Sequence, residues 1–476
     1  MAHGHLIPII DMARLFARRG VKATIVSTPL NAALCSKTIE RDRQLGLDIS
    51  IQIIKFPSAE AGLPEGCENI SAITSPDMLP NFFKAIGMLQ QPLEQLLEEC
   101  HPSCLVADMM FPWATEAANK LGIPRLFFNG TSFFAMCVFD SLKRHEPHKR
   151  VDSDSEPFTV PGLPDQIKLT RLQLPTYLKE TTENEFTKLM DQISQSELRS
   201  YGVIMNSFNE LEPAYSEHYR KEMGRKAWQI GPLSLCNGDM EDKAGRGNVS
   251  SIDEHECLRW LANKKDNSVL YICFGSVFNL PGTQLLEIAL ALEASGQNFI
   301  WVVRKGELTK HADKEEWLPE GFEKRMEGKG LIVWGWAPQV LILDHKAVGG
   351  FMTHCGWNST LEGVTAGVPM VTWPLGAEQF GNEKLITDVL KIGIGVGTQE
   401  WSRYEKKIIV RKEDIEKAIA QLMASDETEE IRNRARELKE MARRATEEGG
   451  SSFADLTALV EELRALETSK RERKVH

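Results

Sequence analysis

The chain is predicted to be an α/β protein with two Rossmann-like domains facing each other across a cleft. Three observations predict this. At 476 residues the chain is longer than one ordinary hydrophobic core serves. Short apolar, β-rich runs alternate with longer helical patterns in both halves, which is the mark of βα units and parallel sheets. Between the halves, residues 236–251 hold Gly, Asp, Asn, Lys and Ser with almost no large apolar side chains, and read as a flexible linker or exposed loop.

In chain order, the first half offers strands over 23–27, 104–107, 126–128 and 203–205, with helices such as 12–19 and 112–121 between them. The second half offers strands over 269–274, 299–303, 331–334, 350–353 and 370–372. A helix over 283–294 repeats apolar residues at Leu285, Leu286, Ala289 and Leu292 and stops at Gly296. Near the end, Ile431, Ala435, Leu438 and Met441 form an apolar stripe among charges, Gly449 and Gly450 interrupt it, and a helix resumes over 453–466. The basic tail with Lys470, Arg471, Arg473 and Lys474 reads as solvated and frayed. The expected domains are 1–235, the linker 236–251, 252–452, and a final helix 453–476 packing back on the first domain. Ligands in such folds sit beyond the carboxyl ends of the strands, so the loops after strands carry the chemical search.

Composition narrows the class. Hydrophobic residues make up 42% and charged residues 26%, an ordinary globular balance, and the net charge of -11 argues against a nucleic-acid binder. No run of about 18 apolar residues offers a membrane span, and Asp11 and Arg14 interrupt any secretory pattern at the N-terminus. Nine cysteines without CxxC spacing read as reduced thiols of a cytoplasmic protein. The sequons at Asn69, Asn129, Asn248 and Asn358 are then expected to stay unmodified.

The richest chemistry follows the strand 350–353. His354-Cys355-Gly356-Trp357-Asn358-Ser359-Thr360-Leu361-Glu362-Gly363 reads as a tight turn and a helix start, where N–H groups and the positive end of the helix dipole bind phosphate. His354, Asn358 and Ser359 add donors there. Glu362 shares their helix face, and its acceptor-only carboxylate suits ribose hydroxyls. Taken alone, the stretch reads equally as a plain helix capped by Asn358 or Ser359. A second turn, Phe274-Gly275-Ser276, brings a hydroxyl that suits the same phosphates. Gly393-Ile394-Gly395-Val396-Gly397 has the wrong spacing for a dinucleotide fingerprint, which counts against a nicotinamide enzyme.

These residues carry a resemblance. Trp336-Ala337-Pro338-Gln339, His354 to Ser359, Glu362-Gly363, Ala366-Gly367-Val368-Pro369 and Glu378-Gln379 resemble, ungapped over 336–379, the 44-residue signature box of plant family-1 UDP-glycosyltransferases. Ala2-His3-Gly4-His5-Leu6-Ile7-Pro8 resembles that family's N-terminal motif, and the similarity runs over nearly the whole chain. The resemblance implies the two-Rossmann GT-B fold. It implies a metal-independent, inverting hexosyltransferase of plant secondary metabolism that uses UDP-glucose as co-substrate and needs no cofactor. It further implies that Trp336 stacks on uracil beside Ala337, and that Gln339 and Glu362 take the ribose. Ser276, His354, Gly356, Asn358 and Ser359 hold the diphosphate, and Trp357, Glu378 and Gln379 hold the sugar. Gln379 resembles glucose-using members. Asp152-Ser153-Asp154 lies in a polar stretch and reads as a solvated loop rather than a metal-ligand pair.

The reaction needs a base for the acceptor hydroxyl. His3 and His5 are the candidates, and the resemblance selects His5, with Asp108 at the carboxyl end of its strand as the carboxylate that orients it. Phe111, Trp113, Phe127, Phe128, Phe133 and Phe134 lie near the relevant strand ends. Most of the six read as core. Phe111 and Phe133, with Thr131, are the candidate acceptor contacts. The branch resembled by residues 2–8 and by Leu63-Pro64-Glu65-Gly66-Cys67-Glu68 uses flavonoids, other phenolics and terpenoids. The expected partners are thus a UDP-sugar and a small aglycone, with no nucleic acid and no membrane span, acting on a monomer.

Two departures from the family stand out. Its members carry a strand of about ten residues before the His-Gly-His stretch, where this sequence has Met1. The first strand is therefore expected to be missing, leaving His5 near an unanchored terminus. The alternative reading is a UDP-sugar-binding protein with impaired or no turnover. Gly381 stands where the family mostly has an aromatic residue.

Overall fold

A computed structural model describes residues 2–179, 184–304, 317–402, 408–424 and 428–475. The chain divides into two compact units, one formed by Met1–Phe133, Thr181–Asn237 and Arg443–His476, the other by Phe134–Glu180 and Gly238–Ala442. The division is not contiguous, unlike the expected 1–235. The stretch after Phe133 clusters with the second unit, where the short antiparallel pair β5 (Phe158–Thr159) and β6 (Lys168–Leu169) lies and Trp401 N–H donates to Leu172 O at 2.8 Å.

The first unit holds two parallel sheets. One pairs β1 (Ala23–Ser27) with β2 (Ile49–Ile53). The other has the order β3 (Leu105–Asp108), β4 (Arg125–Asn129), β7 (Gly202–Met205), β8 (Ala227–Gln229). Val26 of β1 and Leu105 of β3 pack on the same apolar cluster of Leu93, Leu97, Ala117, Ala118 and Ile123. β4 and β7 are buried along their whole length, as strands covered on both faces must be. The first helix, His3–Arg18, buries Leu6, Ile10, Met12, Phe16 and Ala17. It also buries Arg14, whose Nε and Nη2 donate to the two oxygens of Asp42 at 2.5 and 3.1 Å, while Nη1 donates to Asn237 Oδ1 at 2.6 Å. That bidentate pair, desolvated on both sides, holds the helix in place. The expectation of an unanchored His5 is corrected accordingly.

The last helix, Ser451–Val475, belongs to this unit and sets Leu456, Leu459 and Val460 into the core with Met12, Phe16 and Leu126. It runs past the expected 466, because Glu467 pairs with Arg471 one turn on and Lys470 Nζ donates to Gly122 O at 2.5 Å. The tail expected to fray is therefore helical.

The second unit carries one six-stranded sheet. Its order is β11 (Gly330–Trp334), β10 (Asn298–Val303), β9 (Val269–Cys273), β12 (Val348–Thr353), β13 (Met370–Thr372), β14 (Gly393–Gly395), and every pair is parallel. The helix Gly282–Ser295 ends at Gly296, whose φ of 64° is the left-handed stop expected there. Strand order reverses between β9 and β12, so the loops after these two strands open side by side at a topological switch point. The stretch 236–251 differs from the expected open linker. Asp239 caps a short helix, Met240–Ala244, by accepting from Asp242 N–H at 2.7 Å, and Asn237 is buried.

No helix among the described residues is long and apolar enough to cross a membrane, and all nine cysteines carry free thiols.

Candidate active site

In the first unit, the loops after β3 and β4 and the first turn of the N-terminal helix converge. Asp108 ends β3 and is almost fully buried, whereas His5 is about one-third exposed, and His5 Nδ1 lies 2.7 Å from Asp108 Oδ2. A carboxylate only accepts, so Nδ1 is the donor of this hydrogen bond, and Nε2 is the ring nitrogen that can take a proton when the imidazole is neutral. Asp108 Oδ1 accepts from Met110 N–H at 2.9 Å, which fixes the carboxylate rotation. Arg125 lies underneath, its Nη2 donating to Ala107 O at 3.0 Å and Asp108 O at 3.3 Å, and burial pushes its guanidinium down to about 10. Gly130 runs alongside the imidazole, where a Cβ would stand 3.5 Å from His5 Nδ1 in ordinary contact. His3, the other candidate, is buried.

Of the six aromatic residues near these strand ends, Phe127, Phe128, Phe133 and Phe134 are fully buried. Phe133 packs against Tyr219 with ring centroids 5.0 Å apart, so it serves as core and not as an exposed wall. Phe111 and Trp113 are half-buried, meet edge-on at 5.6 Å and pack against the apolar cluster of Phe56, Phe82 and Ile86. Thr131 lies in the loop after β4, and its Oγ1 is buried without a hydrogen-bond partner among the described residues.

In the second unit, β12 leads through His354-Cys355-Gly356 into the helix Trp357–Ala366. Its N-cap is Gly356, and no side chain caps it. Asn358 and Ser359 lie within the first turn, so the reading of either as a plain cap is corrected. Cys355 turns at a φ of 63°. His354 sits between two glycines: a Cβ on Gly275 or on Gly356 would stand 2.5 Å from its Nε2. Gly275 has a φ of 73° and leads to Ser276, so only glycine suits that turn. Burial pushes His354 down to about 4, which keeps it neutral at physiological pH, and its Nδ1 is buried without a partner among the described residues.

Along the same helix Glu362 is buried, and its Oε2 accepts from Gln339 Nε2 at 2.6 Å. Gln339 Nε2 also reaches Ser359 Oγ at 3.2 Å, and Tyr271 O–H donates to Gln339 Oε1 at 3.2 Å. Trp336 and Ala337 precede this glutamine, and Trp336 is half-buried. Trp357 is buried. Gln379 uses Oε1 to accept from Leu375 N–H and Gly376 N–H at 2.8 and 2.9 Å. Asn382 Nδ2 joins Glu378 Oε1, at 3.2 Å, to Cys355 O, at 2.9 Å, which ties the Glu378-Gln379 turn to the His354 turn. All twelve residues expected at the donor lie in the second unit. Asp154 of the DxD stretch is exposed and pairs with Arg171 at 3.0 Å.

Two residues escaped the sequence reading. Arg246 pairs with Glu362, and Ser251 brackets Trp336, its Oγ accepting from Trp336 N–H at 3.0 Å and its N–H donating to Trp336 O at 2.8 Å. The available signal was Asp239 three residues before Asp242, a capping pattern that announces structure inside the polar stretch.

The profile of the family described as UDP-glucoronosyl and UDP-glucosyl transferase matches residues 87–426. The chain is 58% identical over 463 residues to a scopoletin glucosyltransferase of Nicotiana tabacum, covering 97% of this chain and 96% of that protein. It is 55% identical over 474 residues to a UDP-glucose flavonoid 3-O-glucosyltransferase of Fragaria ananassa, covering 98% and 95%. Among solved structures, Glycyrrhiza uralensis UGT73P12 complexed with glycyrrhetinic acid 3-O-monoglucuronide superposes with a TM-score of 0.94 at 45% identity, covering 100% of this chain and 96% of that one.

Proposed function

The chain belongs to the UDP-glucoronosyl and UDP-glucosyl transferase family and has its GT-B fold, and we propose that it moves glucose from UDP-glucose to a hydroxyl of a small phenolic or terpenoid acceptor. The observation that carries the reading is the 2.7 Å pair of His5 and Asp108. Nε2 of His5 takes the proton of the acceptor hydroxyl as its oxygen attacks the anomeric carbon. The bond from that carbon to UDP breaks, and its electrons leave on the diphosphate. Asp108 steadies the imidazolium that forms, a contribution worth roughly 10²–10⁴-fold together with the base. One displacement inverts the anomeric centre and gives a β-glucoside.

In the second unit, Trp336 stacks on uracil, and Gln339 with Glu362 reads the ribose. The N-terminal turn at Gly356–Ser359, Ser276 and the neutral His354 receive the diphosphate. The unpartnered Nδ1 of His354 supports that assignment. The Nε2 of Gln379 is its group left for sugar hydroxyls, beside Glu378 and Trp357. These fixed donors meet the departing charge without a metal or further cofactor. Phe111 and Trp113, with Thr131, form part of the acceptor wall. We place the protein in the cytoplasm, acting as a monomer in plant secondary metabolism.

The relatives' glucosyl transfer supports glucose as the donor. A panel of UDP-glucose, UDP-galactose and UDP-glucuronate against flavonols, coumarins and triterpenoid alcohols, read by UDP release and product mass, tests it. UDP-glucose is expected to dominate, and undiminished UDP release in His5→Ala would remove His5 as the base. A second reading, donor binding without turnover, draws on the separation of the first unit's strands into two sheets. It is favoured if UDP binds and no acceptor in the panel is consumed.

A further inference from the structure

The polar stretch ahead of the second unit's sheet is held at three points. Asp239 caps the helix Met240–Ala244, which packs on the helix Gln339–Leu343. Lys243 Nζ lies 2.5 Å from Asp344 Oδ2. Ser251 exchanges two hydrogen bonds with the backbone of Trp336, and a Cβ on Gly335 would stand only 2.3 Å from Ser251 Oγ, so the approach depends on that glycine. Between these points Arg246 turns inward and its Nη1 donates to Glu362 Oε1. Both side chains are more than nine-tenths buried, at 8% and 6% exposure.

A carboxylate buried to this degree needs a counter-charge, or it protonates or swings out. Glu362 Oε2 already takes Gln339 Nε2. Each carboxylate oxygen has two acceptor directions, so a guanidinium on Oε1 and an amide on Oε2 leave one direction on each oxygen. Two acceptor directions on adjacent oxygens match the two adjacent hydroxyls of a ribose. We propose that Arg246 is a positioning residue of the donor site, holding the Glu362 carboxylate in the orientation that receives the 2′- and 3′-hydroxyls of the nucleotide. This rests on the assignment of Glu362 to the ribose. It also makes the 238–251 stretch part of the donor site, with Ser251 bracing the tryptophan that meets the base.

Calorimetric binding of UDP and of 2′-deoxy-UDP tests the proposal on the wild type, Arg246→Met, Arg246→Lys and Glu362→Gln. A lost charge-assisted contact is worth roughly 10–100-fold in affinity. Arg246→Met is therefore expected to weaken UDP by about that factor and 2′-deoxy-UDP much less, so that discrimination between them shrinks. Arg246→Lys is expected to restore most of it. Arg246→Gln serves as a second neutral variant if methionine lowers the melting temperature. Wild-type discrimination in Arg246→Met, or an equal loss for both nucleotides, overturns the proposal. If Glu362→Gln loses discrimination while Arg246→Met keeps it, the Arg246 assignment alone fails. If Glu362→Gln also keeps it, the ribose assignment beneath it fails too.

Discussion

Replacing Asp108 by asparagine preserves shape and removes charge, and the hydrogen bonds around it dictate which way the amide turns. Oδ1 of Asp108 accepts from Met110 N–H at 2.9 Å, while Oδ2 faces His5 Nδ1 at 2.7 Å. In the asparagine variant the amide oxygen must stay on Met110, because an NH2 there would oppose another donor. The amide NH2 then faces Nδ1 and donates to it. His5 is driven into the tautomer with its proton on Nε2, where it no longer accepts a proton from the sugar acceptor. The expected loss in kcat is the whole value of the general base, about 10²–10⁴-fold, or about 3–5 kcal/mol of barrier. The KM for UDP-glucose is expected to stay within a few-fold, since the residues proposed to hold the donor lie in the other unit. Initial rates of UDP release give kcat and KM, and a melting curve checks the fold. Asp108→Asn in the His5→Ala background is expected to add little further loss, because the two residues act as one device. A variant that keeps kcat within about threefold of the wild type would refute the tautomer argument and the base assignment with it.

Other outcomes follow from the second unit. Glu383 is buried on the helix Gln379–Lys384, and burial pushes its carboxyl up to about 7, against a smaller opposing effect of the Thr372 hydroxyl bonded at 2.8 Å. A raised carboxyl holds its proton more tightly in the folded state, so its contribution to stability is lost as pH rises from about 4.5 to about 7, by roughly 3 kcal/mol in total. Glu383→Gln removes that slope, and urea unfolding at pH 5 and pH 8 is expected to show the variant gaining on the wild type at the higher pH; parallel curves would contradict it. Gly381 lies on the same helix with space beside it, a Cβ standing 3.7 Å from Ala135 Cβ. Gly381→Ala is expected to stabilise the fold by roughly 0.5–1 kcal/mol, read as an increase in the urea midpoint.

Most strands were legible because buried parallel strands are continuous β-branched and apolar runs, as in Val269-Leu270-Tyr271-Ile272 and Met370-Val371-Thr372. The unread strands lack that signal. Ile49–Ile53 is an edge strand broken by Ser50 and Gln52, Ala227–Gln229 is three residues long, and Gly393–Gly395 is largely glycine. Glycine at 393 has a packing reason, since a Cβ there would stand 2.5 Å from Ile386 Cγ2. The residues proposed for the donor were legible as a group because a turn, a helix start and a glutamate at fixed spacing lie within one short stretch. The His5–Asp108 pair came from resemblance, since 103 residues separate the partners and no local pattern joins them. Arg246 was illegible for the same reason: its partner lies 116 residues away, and a lone arginine in a polar stretch looks like solvated surface.

The central claim is inverting transfer of glucose by a base in the first unit. Its most direct measurement is proton NMR of the product from UDP-glucose and a coumarin or flavonol bearing a free hydroxyl. A β-configured glucoside, formed in step with released UDP and lost in His5→Ala, is the predicted result. An α-glucoside, or free glucose with the acceptor untouched, would contradict it.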